Sequence, residues 1–150
     1  MKLKSSAFEH GGKIPSKHTC DGDNISPSLT ISDVPSEAEK LVLIMDDPDV
    51  PRELREDGMW DHWVVFNIPA SVCDIREGEE PSGTHGIGTG GNTDYFGPCP
   101  PDREHRYFFK LYAVDIALDL TEKSTKLQVE NAMEGHVLAT AELLGRYERS

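Results

Sequence analysis

The chain has 150 residues, of which 27 are acidic and 15 are basic, so its formal net charge at pH 7 is −12. This charge argues against nucleic acid and anionic membrane surfaces as partners, because both would repel the protein, and the length fits one domain over residues 1–150. No apolar run approaches the roughly 20 residues of a membrane span, and the first residues do not resemble a signal peptide, so a cytoplasmic location is predicted.

The three cysteines, Cys20, Cys73 and Cys99, are odd in number and lack the short paired spacings of a zinc or redox motif. Three free or half-buried thiols are the leading interpretation, and a single disulfide is the alternative. The sequence predicts no cofactor and no resident metal.

The first half of the chain is predicted to contain three strands separated by polar loops. A weak alternation over residues 1–8 indicates an edge strand, and residues 29–34 alternate as a second short strand. The apolar run at residues 41–45 predicts a strand that is buried on both faces.

Acidic residues follow the third predicted strand. Pro48 biases Asp47 toward extended backbone and fixes its own φ near about −65°, so Asp47 and Asp49 are expected on one face at the i, i+2 spacing of a strand. Two carboxylates held together need hydrogen-bond donors, a cation or a proton between them. The sequence offers His62 and His105 as donors.

The second half of the chain is predicted to hold two strong strands, a long loop and one helix. Residues 62–69 and 105–115 are rich in β-branched and aromatic types. The roughly 35 residues between them are Gly-, Pro- and polar-rich, and a loop of this length indicates function. Thr125 begins a capping box, and Gly135 is expected to end the helix that follows. Residues 136–149 fit either more helix or a final strand.

A glycine-rich segment at residues 86–91 fits the G-x-G-x-x-G spacing of a dinucleotide-binding loop. That motif must follow a strand and begin a helix, whereas residues 92–98 cannot form a helix. We therefore reject nucleotide binding and interpret the segment as a tightly turned loop.

The order of these elements predicts the fold class. Several strands are separated by Gly/Pro loops, strand and helix do not alternate, and one helix lies late in the chain, which is typical of a mainly β protein. We predict an antiparallel β-sandwich with a short C-terminal helix. Period-two geometry also puts His105 and Tyr107 on one face of their strand.

Three segments together resemble the phosphatidylethanolamine-binding protein family, which includes Raf kinase inhibitor protein and small bacterial and archaeal relatives. They are D-P-D-V-P at residues 47–51, W-D-H-W-V-V-F-N-I-P at residues 60–69, and G-P-C-P-P at residues 97–101 followed by H-R-Y-F-F-K-L-Y at residues 105–112. Further matches, in family order, are C-D-G at residues 20–22, I-S-P at residues 25–27 and A-M-E-G-H-V-L-A at residues 132–139. The chain resembles the small bacterial and archaeal members.

The resemblance implies two antiparallel sheets in Greek-key order, a strand over residues 137–147, and a small pocket that accepts phosphate or a phosphorylated head group. The residues that match the family's pocket are Asp47, Asp49, Trp60, His62, Pro98, His105 and Tyr107. The sequence departs from the family at Ile31, where a Trp is usual, and in the short segment 102–104.

The leading functional prediction is a non-enzymatic binding protein for a small anionic or phosphorylated group, acting as a regulator of a protein kinase or protease. Imidazole donors at His62 and His105 are expected to hold the anion, while Asp47 or Asp49 accepts from the far ring nitrogen. Carboxylate neighbours are expected to favour the charged imidazolium.

Two other interpretations stay open from the sequence. In the first, the same four residues, Asp47, Asp49, His62 and His105, are the ligands of a metal-dependent hydrolase. Binding is favoured over hydrolysis because no evident nucleophile or base remains. In the second, the chain is a structural or homodimer-forming module whose pocket is vestigial.

Overall fold

A computed structural model describes all residues of the chain, 1–150. The strands are β1 (Lys2–Lys4), β2 (Gly12–Lys13), β3 (Leu29–Ser32), β4 (Lys40–Asp47), β5 (Trp60–Pro69), β6 (Asp74–Ile75), β7 (Thr84–His85), β8 (His105–Val114) and β9 (Val137–Tyr147). The one α-helix, α1, comprises Lys126–Met133, and a 3₁₀ turn lies at Ser16–His18.

The strands form two sheets. Strands β1, β3 and β6 make a three-stranded sheet, and the other six make a second sheet in the order β2-β9-β8-β4-β5-β7. All strand pairs are antiparallel except the two-residue pairing of β2 with β9, which is parallel. The mainly β fold with one short helix is confirmed, and residues 137–147 form the strand that the resemblance implied. The Greek-key order stays a prediction.

Strand β4 lies inside the large sheet and is covered on both faces. All five residues from Leu41 to Met45 are 0% exposed. Alternate residues of the strand pack into a core shared with the small sheet, whereas Val42 and Ile44 pack against Val129 and Met133 of α1. A strand with cover on both faces needs apolar side chains in succession, and this explains the unbroken apolar run.

The helix α1 begins with the predicted capping box. The Thr125 side chain accepts a hydrogen bond from the backbone N–H of Gln128, and the Gln128 side chain accepts one from the backbone N–H of Thr125. Gly135 follows the helix with a φ of +82°, a conformation that glycine adopts without steric cost. No helix of the protein is long and apolar enough to cross a membrane.

A disulfide joins Cys20 to Cys99, two residues that are 79 positions apart in sequence, and Cys73 is free and exposed. The prediction of three free thiols is therefore wrong. The pairing depends on the approach of two distant loops, which cysteine spacing does not reveal. Disulfides are more common in oxidising compartments than in the cytosol. The cytoplasmic location accordingly gains no support from the cysteines and stays a prediction.

Candidate ligand-binding site

A cavity of about 230 Å³ lies at one edge of the large sheet. Because β4 runs antiparallel to both neighbours, its C-terminal end meets the N-terminal ends of β5 and β8, with Asp47 opposite Trp60 and Asp46 opposite Phe108. The cavity is lined by Asp47, Val50, Leu54, Trp60, His62, Phe96, Cys99, Pro100, Pro101 and Tyr107. The strands thus supply its polar groups and the loops supply most of its apolar wall.

The structure brings some predicted site residues to the cavity and leaves others outside it. Those that line it are Asp47, Trp60, His62 and Tyr107. Those that do not are Asp49, Pro98 and His105. The neighbours of Pro98 in the G-P-C-P-P segment do line the cavity, so the motif indicated the right loop but not the right residues.

His62 is buried and carries one hydrogen bond from its ring. Its Nδ1 lies 2.7 Å from the backbone carbonyl oxygen of Phe96, and a carbonyl only accepts, so Nδ1 donates and holds the proton. Nε2 then presents a lone pair. Burial lowers the pKa of His62 to about 4, an effect that exceeds the opposing influence of the Phe96 bond and of Asp46.

The expectation that a carboxylate partner holds His62 in its charged form is therefore wrong. The partner is a neutral backbone carbonyl, and the loss of hydration on burial disfavours the imidazolium more strongly than nearby groups favour it. At neutral pH His62 is an uncharged acceptor at Nε2, not a cationic donor.

His105 is fully buried and lies between two carboxylates. Its Nδ1 is 2.7 Å from Oδ2 of Asp47, and its Nε2 is 2.6 Å from Oδ1 of Asp102. Both bonds form together when the ring is doubly protonated or when one carboxyl group carries a proton. Since both ring nitrogens are used inside the protein, His105 is a positioning residue for Asp47 rather than an anion donor.

Asp47 is held in a single orientation beneath the cavity. In addition to the His105 bond, its Oδ1 accepts a hydrogen bond of 2.7 Å from the backbone N–H of Asp49. Burial raises the pKa of Asp47, and the hydrogen bonds from His105 and Asp49 counteract part of that rise. The site therefore contains a buried, fully oriented carboxyl group with a raised proton affinity.

Asp49 is bound to Arg106 and points away from the cavity. The guanidinium donates from Nη2 to Oδ1 at 2.8 Å and from Nε to Oδ2 at 2.9 Å, and the Arg106 backbone N–H adds a third bond. This pairing lowers the pKa of Asp49. The predicted pair of carboxylates on one face is therefore separated, because the guanidinium of Arg106 on β8 holds the Asp49 carboxylate with two parallel hydrogen bonds.

Tyr107 carries a buried hydroxyl group beside the cavity that lacks a protein partner. Its side chain is fully buried, and the hydroxyl has no hydrogen-bond partner of acceptable geometry. Burial first, and then the charge and close approach of the Asp47 carboxylate, raise its pKa, so the hydroxyl keeps its proton, although its contact with Asp47 does not have the geometry of a hydrogen bond. An unpaired buried hydroxyl is rare and costs free energy, which points to a ligand atom at this position.

Replacing Tyr107 by Phe is expected to leave the free energy of unfolding unchanged or to raise it by up to about 1 kcal/mol, since the variant no longer buries an unpaired polar group. Affinity for phosphate should fall. Urea unfolding and isothermal titration measure the two effects. The matched control is Tyr147→Phe, which removes a hydroxyl bonded to Asp21 and should lower stability. A clear loss of stability in Tyr107→Phe would contradict this description of its hydroxyl.

The four ligands required by a metal-dependent hydrolase do not converge. Both ring nitrogens of His105 are bound to carboxylates, Nδ1 of His62 is bound to a carbonyl, and the Asp49 carboxylate is bound to Arg106. Of the four side chains only His62 keeps a free ring nitrogen, Nε2, so the set does not form a metal site and the hydrolase alternative receives no geometric support.

A second group of candidate ligands lies elsewhere, at Glu80, His85 and Asp94, whose donor atoms are within 4.8 Å of one another. Nδ1 of His85 is 3.0 Å from the carbonyl oxygen of Thr93, so this nitrogen donates a proton and is not free to bind a metal. The Glu80 carboxylate is also engaged, by the indole N–H of Trp63 at 2.8 Å. The group is a pair of carboxylates beside His85, and its closest contacts are hydrogen bonds to other parts of the protein.

Comparisons with known proteins find a family and several relatives that this chain resembles. The sequence model of the family named phosphatidylethanolamine-binding protein matches residues 4–148. A protein named UPF0098 from Chlamydia muridarum is 52% identical over 99% of both chains. A solved structure of a phosphatidylethanolamine-binding protein homolog from Chlamydia trachomatis is 50% identical and has a TM-score of 0.96, covering 99% of this chain and 97% of the other.

A more distant solved structure has the same fold. The E. coli protein YbcL, named as a member of the mammalian family, is 30% identical, with a TM-score of 0.88 over 99% of this chain and 98% of its own. The family match covers nearly the whole sequence, and the relatives are similar over their full lengths. The chain belongs to the phosphatidylethanolamine-binding protein family.

Proposed function

We propose that this protein binds a small acid with one negative charge, such as phosphate or a phosphate monoester, and that the acid enters the cavity together with a proton. The observation that carries the proposal is the buried, unpaired hydroxyl of Tyr107 beside Asp47 and His62. Family membership supports a binding role. Regulation of a kinase or protease, and a homodimer, stay predictions.

The charges around the cavity favour a monoanion over a dianion. No Lys or Arg is among its lining residues, and the protein as a whole carries −12. A dianion would meet the Asp47 carboxylate without a compensating cation, which is unfavourable in a partly dry site. An acid with one charged oxygen and one proton can accept from the Tyr107 hydroxyl and place its proton on Nε2 of His62.

The proton at His62 links binding to pH. A bound anion stabilises the imidazolium, so the pKa of His62 in the complex must lie above the value of about 4 in the free protein. Affinity is therefore highest below the free pKa, and it is lost as pH rises through the pKa of the complex. His62 is therefore uncharged in the free protein at neutral pH and becomes protonated when the ligand binds.

Isothermal titration with sulfate at pH 5.5 tests this proposal, because sulfate is a dianion that does not titrate there, so the proton that binding requires at His62 must come from solution. Buffers with different ionisation enthalpies should reveal an uptake of up to about one proton per sulfate bound. In His62→Asn, which keeps a donor toward the Phe96 carbonyl, the uptake should vanish. Affinity should drop by about ten- to a hundredfold, as expected for one charge-assisted bond.

The matched control is His136→Asn, because His136 is exposed and pairs with Asp115 outside the cavity. It should bind sulfate as the unaltered protein does. Binding without proton uptake, or binding that survives both His62→Asn and Tyr107→Phe, would refute the proposed site. So would a lack of binding to both sulfate and phosphate at millimolar concentrations.

The lining residues also support a role without catalysis. Cys99 is held in a disulfide, and the carboxylate of Asp47 is held by two hydrogen bonds, so neither is a free nucleophile. We expect no turnover of p-nitrophenyl phosphate above the rate in buffer. Turnover that disappears in Asp47→Asn would instead establish an enzyme.

A further inference from the structure

The outer part of the cavity is apolar and unusually exposed. Leu54 is 63% exposed and Phe96 is 41% exposed, and they are two of the six large apolar side chains that are strongly exposed in the whole protein. Val50 and Pro101, which are also accessible, complete this rim. Apolar side chains that stay exposed around a cavity typically mark a surface that a ligand covers.

We propose that the ligand carries a compact apolar group, an aryl ring or a short alkyl chain, attached directly to the acid group that the floor of the cavity binds. The inference rests on the proposed function and names the class of ligand. The floor consists of Asp47, His62 and Tyr107, and the rim consists of the apolar residues above.

The cavity is large enough for a ligand that has both an acid group and an apolar substituent. A water molecule occupies about 30 Å³ of the liquid, so 230 Å³ corresponds to roughly eight waters. Phosphate has five non-hydrogen atoms and fills only part of this space. Apart from the indole N–H of Trp60, the side chains that adjoin the remainder are apolar, so an apolar substituent fits it best.

The floor and the rim are joined by one residue. The carbonyl of Phe96 fixes the His62 ring, and the two rings lie nearly parallel with centroids 6.5 Å apart. A substituent on an acid bound at His62 would therefore come directly against the exposed Phe96 ring. An aryl group can stack there, and a short alkyl chain can cover it.

A positively charged substituent has no matching partner at the rim. Asp47 is the one carboxylate among the lining residues, and its two oxygens are bonded to His105 and to the backbone N–H of Asp49. The ammonium of an ethanolamine head group would thus lie against apolar surface without an ion pair. The rim favours apolar esters over zwitterionic ones.

The test is a titration series at pH 5.5 with methyl phosphate, n-butyl phosphate, phenyl phosphate and phosphoethanolamine. Each fully buried methylene should increase affinity about fourfold. With partial burial at an open rim, the butyl and phenyl esters should bind at least about tenfold more tightly than methyl phosphate. Phosphoethanolamine should show no such gain. Glycerophosphoethanolamine serves as the lipid head-group arm and should also show no gain.

Leu54→Ser should bring the ratio of the butyl to the methyl affinity toward one. The matched control is Leu127→Ser, since Leu127 is 65% exposed on α1 and is not a lining residue. It should leave every affinity unchanged. Equal affinities for methyl, butyl and phenyl phosphate, or tightest binding by phosphoethanolamine, would overturn the inference and leave the proposed function standing. Failure of all five esters and of inorganic phosphate would overturn the proposed function itself.

Discussion

Replacing both Cys20 and Cys99 by serine should lower the free energy of unfolding by about 4 kcal/mol. The disulfide closes a loop between residues 79 positions apart, and by the chain-entropy argument a cross-link of this span removes that much conformational freedom from the unfolded chain. Urea unfolding without reductant measures the change. Cys73→Ser is the control, because an exposed free thiol should be replaceable within about 0.5 kcal/mol. An unchanged midpoint in the double variant would mean that the bond does not form in solution.

In the variant that lacks both Cys20 and Cys99, the free energy of ligand binding should fall much less than the free energy of unfolding. The loop that lines the cavity is also held by hydrogen bonds, from the Tyr95 hydroxyl to the His18 carbonyl at 2.6 Å and from the Gly97 N–H to Asn24 at 2.8 Å. These bonds act in the folded state, whereas the disulfide acts mainly on the unfolded state. A loss of binding as large as the loss of stability would show that the disulfide also shapes the cavity.

Lowering the pH from 7.5 to 5 should destabilise the protein through His62 by about 2 kcal/mol. Burial lowers the pKa of His62 to about 4, while the unfolded chain titrates near about 6.5. Between these values the unfolded state binds more protons, so the contribution is complete above pH 6.5 and is lost as pH falls toward 4. Urea unfolding at both pH values, without phosphate or sulfate, measures the slope.

The raised pKa of Asp47 acts in the opposite direction, because a carboxyl that holds its proton more tightly when folded adds stability as pH falls. The comparison with His62→Asn separates the two groups. The variant cannot take up a proton at this position, so its loss of stability at pH 5 should be smaller by about 2 kcal/mol. Identical slopes in the two proteins would mean that His62 is protonated normally in the folded state.

The position of the cavity could be predicted from the sequence because the sequence shows where the strong strands begin and end. The strand that holds the unbroken apolar run ends at Asp47, His62 lies near the start of the next strong strand, and period-two alternation puts Tyr107 on the buried face of the third. Antiparallel neighbours bring such ends to one edge of a sheet. The resemblance, carried by short motifs at these same ends, then identified the family.

The partners of each side chain did not follow from the sequence. Arg106 lies on the exposed face of β8 and binds Asp49 from a position 57 residues away, and the sequence pattern does not reveal this pairing. His62 bonds a backbone carbonyl, a group that every residue carries and no pattern marks. The apolar rim comes from Leu54 and Phe96, which lie in loops without periodicity. Asp102, which bonds His105, lies in the segment that departs from the family.

The residues on opposite sides of the cavity are far apart in sequence, and this separation affects how fast the protein folds. Asp47 and His105 are 58 residues apart, and the central strand β4 pairs with β8 across an even longer interval. Pairing two strands that are far apart in sequence costs loop-closure entropy before the stabilising contacts form, so we expect folding in milliseconds to seconds. A nascent chain that stops before residue 105 lacks Tyr107, and its β4 has one unpaired edge. Retention of the protein by an immobilised phosphate ester would therefore report the pairing of β4 with β8, since a chain without Tyr107 lacks part of the cavity.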